Sequence, residues 1–319
     1  MAFQLDDDWV WDFWLADDGA TYHLYFLHAP RSLGDPHLRH RNARIGHATS
    51  PDLVNWTSHG RIFETGAPGS FDATATWTGS VVRGDDGLWR LFYTGSRFLS
   101  EDSNANVETI GLATSTDLYS WTKQPGPVVV ADPTHYEVLG SSSWPEEAWR
   151  DPWVFRSGHD GLWHMLVTAR AGHGTETDRG VVGHAVSSDL ATWQVRPPLS
   201  APGSGFAHLE VFQLLEIAGR RHLVFCCDAA KLAGHRAGQT GGIWSLPVGD
   251  FPGPVDPRQA RLLVSEDLYA GRVAFDRAGR PMLLAFHNAG ADRPFSGGIC
   301  DPLPLAVDAD GYLRLDQPK

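Results

Sequence analysis

The chain is short of cysteine, of basic residues and of long apolar runs, and each shortage removes a class of function. Three cysteines, two of them adjacent at Cys226 and Cys227, do not make the disulfide framework of a small stapled domain. Lysine and arginine total 26 against 38 acidic residues, a net charge of −12, so no basic face for a phosphate backbone is expected and nucleic acid is set aside as a partner. No apolar run is long enough to span a bilayer, which sets a membrane aside as well. Met1 to Asp8 carries neither a basic nor an apolar export segment. The expectation is a reduced, cytoplasmic protein, in which the sequon Asn55-Trp56-Thr57 has no meaning. The nucleophile elbow, the phosphate-binding Gly-Lys-Thr/Ser loop and the His-Glu-x-x-His zinc signature are missing. His37 with His40, or His173 with Asp178, offers ligand atoms, but in polar loops, and neither a metal nor a cofactor is expected.

What is present is a fivefold repeat. Its turn is Asp18-Gly19, Asp86-Gly87, Asp160-Gly161, Ala218-Gly219 and Ala278-Gly279, with successive glycines 68, 74, 58 and 60 residues apart. A partly alternating apolar segment follows each turn, as in His23-Leu24-Tyr25-Phe26-Leu27 and His222-Leu223-Val224-Phe225. A third element recurs as Gly46 to Trp56, Gly111 to Trp121 and Gly183 to Trp193, each holding Ser-x-Asp-Leu-x-x-Trp, with Gly242 to Leu246 as a decayed copy. Each unit reads as strand, glycine turn, strand, connection, strand, polar turn, strand. No stretch carries a long helical period. One such unit cannot bury its own faces, and radial repetition of four-stranded sheets protects their edges. The prediction is an all-β protein, one five-bladed β-propeller over residues 1–319, with its surplus length in loops 31–44, 101–109 and 131–147 and with Trp56, Trp121 and Trp193 as blade packing.

Three acidic motifs fall at matching places in this repeat: Trp9-Val10-Trp11-Asp12-Phe13, Trp149-Arg150-Asp151-Pro152 and Leu209-Glu210-Val211-Phe212. Their carboxylates precede the turn glycines by 7, 10 and 9 residues, which puts each on the first strand of a unit, nearest the axis. Taken singly, each reads equally well as a turn or capping residue on a solvated strand end. In register, they converge, and converging carboxylates are the chemistry of glycoside cleavage.

These residues carry a family resemblance. Ile45 to Trp56 is similar to the Trp-Gly-His-Ala-x-Ser-x-Asp-Leu-x-x-Trp segment of glycoside hydrolase family 32. Trp77-Thr78-Gly79-Ser80 resembles that family's Phe/Trp-Ser-Gly-Ser, and Trp149 to Pro152 resembles its Arg-Asp-Pro motif. Val10-Trp11-Asp12-Phe13-Trp14 resembles the nucleophile motif of family 68. The resemblance is therefore to clan J, the invertases, inulinases and levansucrases. It implies a retaining β-fructofuranosidase-like hydrolase, or transglycosylase, of a small sugar such as sucrose or a fructo-oligosaccharide. Asp12 would be the nucleophile, Glu210 the general acid and base, and Asp151 the stabiliser of the transition state. Arg150 would pair with Asp151 or a sugar hydroxyl, and Trp11, Trp77 and Thr78 would line the fructosyl pocket.

Chemistry then asks for a retaining pair roughly 5–5.5 Å apart. Glu210 is expected to have a raised pKa, from the Asp12 charge and from Leu209, Val211 and Phe212, and Asp12 to be kept ionised by Arg150. Several positions depart from family 32: Trp11-Asp12-Phe13-Trp14 replaces Asn-Asp-Pro-Asn, Leu27 stands where glutamine is usual, and Glu210-Val211-Phe212 replaces Glu-Cys-Pro. No C-terminal β-sandwich is expected. Two alternatives stay open: an inverting arabinosidase or xylosidase like family 43, and an inactive sugar-binding propeller. The partner expected is a small oligosaccharide; oligomeric state is open.

Overall fold

A computed structural model of the chain describes residues 2–288 and 295–316. The repeat folds as read. Five sheets form, each built on four antiparallel strands in chain order, and the second carries a short fifth, parallel strand as well. Blade 1 comprises Asp8–Asp17, Tyr22–Pro30, Arg44–Ser50 and Thr57–Arg61. Blade 2 comprises Ala75–Arg83, Trp89–Phe98, Asn106–Ser115 and Thr122–Lys123. Blade 3 comprises Trp149–Arg156, Trp163–Arg170, Gly180–Ser187 and Gln194–Arg196. Blade 4 comprises Glu210–Ile217, Arg220–Cys227, Gly242–Val248 and Arg261–Ser265. Blade 5 comprises Leu268–Phe275, Pro281–His287, Leu303–Val307 and Leu313–Leu315. The helices among the described residues are short 3₁₀ turns.

Two turn chemistries explain the repeat. Between the first and second strands of each blade, the glycine takes a left-handed φ of 72° to 94°, a conformation glycine adopts without a steric penalty. Between the third and fourth strands of blades 1 to 3, the Ser-x-Asp-Leu-x-x-Trp segment makes a self-contained turn. In the second copy, Asp117 N–H donates to Ser115 Oγ at 3.1 Å, and Asp117 Oδ1 accepts from Tyr119 N and Ser120 N at 2.8 Å. The leucine is driven into the left-handed region (Leu53, Leu118 and Leu190, φ 63° to 67°) and is fully buried. Trp56 and Trp121 bond back to the leucine carbonyl, and all three tryptophans pack on the core, as expected of blade packing. One boundary differs from the sequence reading. The loop predicted over 101–109 ends early, because Asn106 already pairs with Phe98 in blade 2.

The innermost strands share an irregularity that sequence patterning does not reveal. In every blade the register skips once, so that the first strand carries one residue more than its partner. The skips fall between Trp11 and Phe13, Trp77 and Gly79, Arg150 and Trp153, Glu210 and Gln213, and Tyr269 and Arg272. Such a bulge breaks the alternation of the strand and re-aims its side chains. Asp151, Val211 and Ala270 hold left-handed φ values of 58°, 57° and 50° there.

The backbone groups freed by the bulges are taken up between blades. Arg272, 1% exposed, donates from Nε to Phe13 O at 3.2 Å and from Nη1 to Phe212 O at 2.5 Å, which ties blade 5 to blades 1 and 4. Asp151 N donates to Thr94 Oγ1 and Val154 N to Ser80 Oγ, which ties blade 3 to blade 2. The ring closes where Phe3 pairs with Ile299 and Gly298 N donates to Val10 O at 2.7 Å.

Replacing Arg272 strands these carbonyls in the buried interior, and charge-assisted bonds of this kind are worth roughly 1.5–3 kcal/mol each. Arg272→Met is expected to lower unfolding free energy by about 3 kcal/mol, measured by urea denaturation. A change below about 0.5 kcal/mol would show that the ring does not depend on this residue.

Candidate active site

The bulges open onto one end of the propeller axis, where a cavity of about 360 Å³ forms. Its floor comes from consecutive residues on the innermost strands: Trp11 and Asp12, Trp77 and Thr78, Arg150 and Asp151, Glu210 and Val211, then Tyr269. All seven residues singled out in the sequence therefore meet in this one cavity. The long loops complete the wall. Loop 31–44 contributes His37, Arg39 and His40, and loop 131–147 contributes Glu146. Leu27, His208, Asp228 and Lys231 were not foreseen as lining residues.

Each carboxylate is held differently. Thr78 Oγ1 donates to Asp12 Oδ2 at 2.7 Å. Asp151 accepts from Thr168 Oγ1 at 2.9 Å and lies 3.6 Å from Arg150 Nε. Glu210 takes Arg150 Nη2 on Oε1 and the Tyr269 hydroxyl on Oε2, both at 2.7 Å. Arg150 is the hub. Besides Glu210 and Asp151, it donates from Nη1 to Glu108 at 3.0 Å and to Glu146 at 3.1 Å. Glu108 is fully buried on the third strand of blade 2. Glu146 is placed by a short parallel pairing of Glu146–Glu147 with Asn106–Val107. Loop 131–147 is pinned upstream of it. Glu137 pairs with Arg170 at 2.8 Å and with Arg179 at 2.5 Å, and Ser143 donates twice to Glu176.

These partners reverse the expected titration. Glu210 does not have a raised pKa. Burial does push it upward, but His208, Arg150 and the hydrogen bonds from Arg150 and Tyr269 outweigh burial and lower it to about 2. Asp12 is raised instead, by burial and by Glu210, against the Thr78 bond and the Arg39 and Arg272 charges. The guanidinium groups that favour its ionised form are thus Arg39 and Arg272, not Arg150. Arg39 reaches it from loop 31–44, 5.6 Å over the Trp11 ring. Asp151 is pushed up to about 7 by burial, which Arg150 only partly offsets because Asp12 and Glu210 repel the same charge. Arg150 does pair with Asp151, but its shorter bonds go to Glu210, Glu108 and Glu146.

The histidine pairs considered for metal binding do other work. His37 and His40 line the cavity wall. Asp178 accepts from Gly205 N and Phe206 N at 2.8 and 3.0 Å, which fixes the chain ahead of blade 4. Among the described residues one triplet, His208, Glu210 and Asp228, brings ligand atoms within 4.8 Å of each other. Arg150 Nη2 lies 3.2 Å from His208 Nδ1, and guanidinium only donates. Nδ1 is thereby occupied and Nε2 carries the proton, so the ring offers a cation no free lone pair.

Comparison with known proteins gives the family. Residues 15–294 match the model of the glycosyl hydrolases family 32 N-terminal domain. Asp151 and Glu210 fall inside that match and Asp12 lies just ahead of it. An insoluble β-fructofuranosidase, isoenzyme 7, of Oryza sativa subsp. indica is 30% identical over 335 residues, covering 94% of this chain and 51% of that protein. The raffinose invertase of Escherichia coli is 28% identical over 287 residues, 84% of this chain and 52% of that one. The fructan 6-exohydrolase of Beta vulgaris is 28% identical over 192 residues, 58% and 28%. The chain spans about half the length, or less, of these curated relatives. Among solved structures, the inulosucrase from Halalkalicoccus jeotgali bound to kestose superposes with a TM-score of 0.81 at 21% identity, over 98% of this chain and 87% of that one. Bacillus subtilis levansucrase gives 0.72 at 15% identity, over 98% and 89%. At these identities the two structures speak for the fold.

The raised Asp151 has a consequence for stability. A carboxyl whose folded pKa exceeds its unfolded value stabilises the fold when protonated. That contribution is complete below the ordinary carboxylate range and is lost as pH rises through about 7. Asp151→Asn is therefore expected to melt above the parent at pH 8, with the gap narrowing toward pH 4. A gap that widens on acidification would reverse the sign of this argument.

Proposed function

The chain belongs to glycosyl hydrolase family 32, and from that membership we propose that it cleaves small β-fructofuranosides with retention of configuration, through a covalent glycosyl-enzyme. The observation that carries this reading is the convergence of Asp12, Asp151 and Glu210, from three separate blades, on one cavity. Asp12 attacks the anomeric carbon. Glu210 protonates the departing oxygen and then, as its carboxylate, activates the water or sugar that releases the fructosyl unit. Asp151 hydrogen-bonds sugar hydroxyls and balances the oxocarbenium charge. The flat rings of Trp11 and Trp77 give the sugar an apolar wall, with Trp77 held by a bond from its Nε1 to His40 O at 2.8 Å. Relatives named for fructofuranosides and fructans support fructosyl as the unit transferred.

Substrate size follows from the cavity and its rim. About 360 Å³ is near the lower limit of small-molecule sites, roughly 300–1,000 Å³. Arg39 and Glu146, carried on loops 31–44 and 131–147, line its wall. The reading fits a di- or trisaccharide met in the cytoplasm, hydrolysed or passed to an acceptor sugar.

Asp12→Asn and Glu210→Gln should each lower kcat at least about a thousandfold while circular dichroism and melting stay near the parent's. NMR of the first product should show the retained anomer. An inverted first product, or near-parent turnover in either variant, removes the reading. On size, kcat/KM for sucrose or kestose should exceed that for inulin and levan, and a preference for polymer would overturn the small-substrate argument.

A further inference from the structure

Glu210 takes hydrogen bonds from Arg150 and Tyr269, and beside them stands a buried histidine, His208. His208 sits two residues ahead of Glu210, 4% exposed. The backbone of Gly180 passes so close that a Cβ there would stand 2.7 Å from His208 Cα. The Trp144 ring, brought by loop 131–147, lies edge-on at 6.1 Å. The imidazole is thus wedged beside the acid–base carboxylate. Arg150 Nη2 carries two protons: one goes to Glu210 Oε1 at 2.7 Å and the other faces His208 Nδ1 at 3.2 Å. Because guanidinium cannot accept, Nδ1 must, and the remaining ring proton belongs on Nε2. Nε2 lies 3.4 Å from Glu210 Oε2, within ion-pair reach but out of line for a hydrogen bond, and no group in the resting site accepts its proton.

We propose that His208 is a positioning residue for Glu210: the Arg150 guanidinium keeps it neutral with its proton on Nε2, and that otherwise unpartnered N–H, 3.4 Å from Oε2, favours Glu210 as the carboxylate, its base form, in the free enzyme. The inference rests on the acid–base role given to Glu210 above. A second proton on His208 would have to enter at Nδ1, against the Arg150 hydrogen. Burial agrees, pushing the ring's pKa down to about 4 against the pull of Glu210. The other charged groups facing the ring are Glu146 on the loop end, and Asp228 and Lys231 after the second strand of blade 4. With Arg150 and Tyr269 donating and the His208 N–H beside it, Glu210 rests ready for the second half of the reaction. It becomes an acid only when the entering sugar draws donors away from it.

The test reads Glu210 directly. Protein labelled with 13C at glutamate carboxyls is titrated by NMR, with Glu210 identified by its loss in Glu210→Gln. His208→Gln keeps an N–H where Nε2 stood, whereas His208→Asn is too short to reach Oε2, and both change little volume. The Glu210 midpoint should be low in the parent and in His208→Gln, and higher by about one pH unit in His208→Asn. The parent's imidazole 15N spectrum should show a single protonated nitrogen, Nε2, from about pH 5 to about 8. A midpoint common to all three proteins, one raised equally in both variants, or an Nδ1-protonated ring overturns the proposal. Full turnover in Glu210→Gln would instead remove the catalytic reading and leave the titration result standing.

Discussion

Everything at this site depends on one extra residue in the innermost strand of each blade. A regular strand alternates its side chains, so consecutive residues cannot face the same end of the axis. The bulge breaks that rule at five places. It delivers a pair of neighbours to the cavity from blades 1 to 4, and Tyr269 from blade 5. The distortion leaves backbone groups without ladder partners, and buried groups of that kind must find others. Arg272, Thr94, Ser80 and the Gln213 amide, which bonds both N–H and C=O of Val273, supply them from adjacent blades. The same contacts that permit the site thus also lock the ring.

The second organising element is the imbalance of charge around Arg150. Glu108, Glu146, Asp151 and Glu210 all approach this one guanidinium. It cannot satisfy all of them equally. Glu210, with help from His208 and Tyr269, wins the ionised form; Glu108 and Asp151 are driven toward protonation by burial. Burial alone would raise every one of these carboxyls, so the split arises from where the donors point. Groups whose titration is forced apart in this way divide acid, base and nucleophile among chemically similar side chains.

The blade pattern was readable because turns are local. The glycine turns and the Ser-x-Asp-Leu-x-x-Trp turns are complete within a few residues, so their signatures survive in sequence. Asp12, Asp151 and Glu210 were found by their spacing ahead of those turns. Tyr269 has the same spacing, ten residues ahead of Gly279, and the position could have been read there. Glu108, Glu146, His208 and Asp228 had no such marker. Glu108, Glu146 and Asp228 belong to other strands and loops that neighbouring packing brings to the axis, and His208 stands in the irregular segment just ahead of blade 4. The titration order was misread for a related reason. Flanking Leu209, Val211 and Phe212 suggested an apolar setting for Glu210, whereas its carboxyl faces Arg150 and Tyr269 from blades 3 and 5.

The clasp that joins the two ends of the ring also sets an order of events during synthesis. Phe3 waits for Ile299, the Phe13 carbonyl for Arg272, Asp12 for Thr78, and Glu210 for Tyr269. Contacts so distant in sequence form late and slowly. A nascent chain with three or four blades released would hold its turns and much of its β-structure, yet leave Arg150 and its carboxylates open to water, with an uncovered blade edge beside them. The pocket is therefore a property of the finished ring.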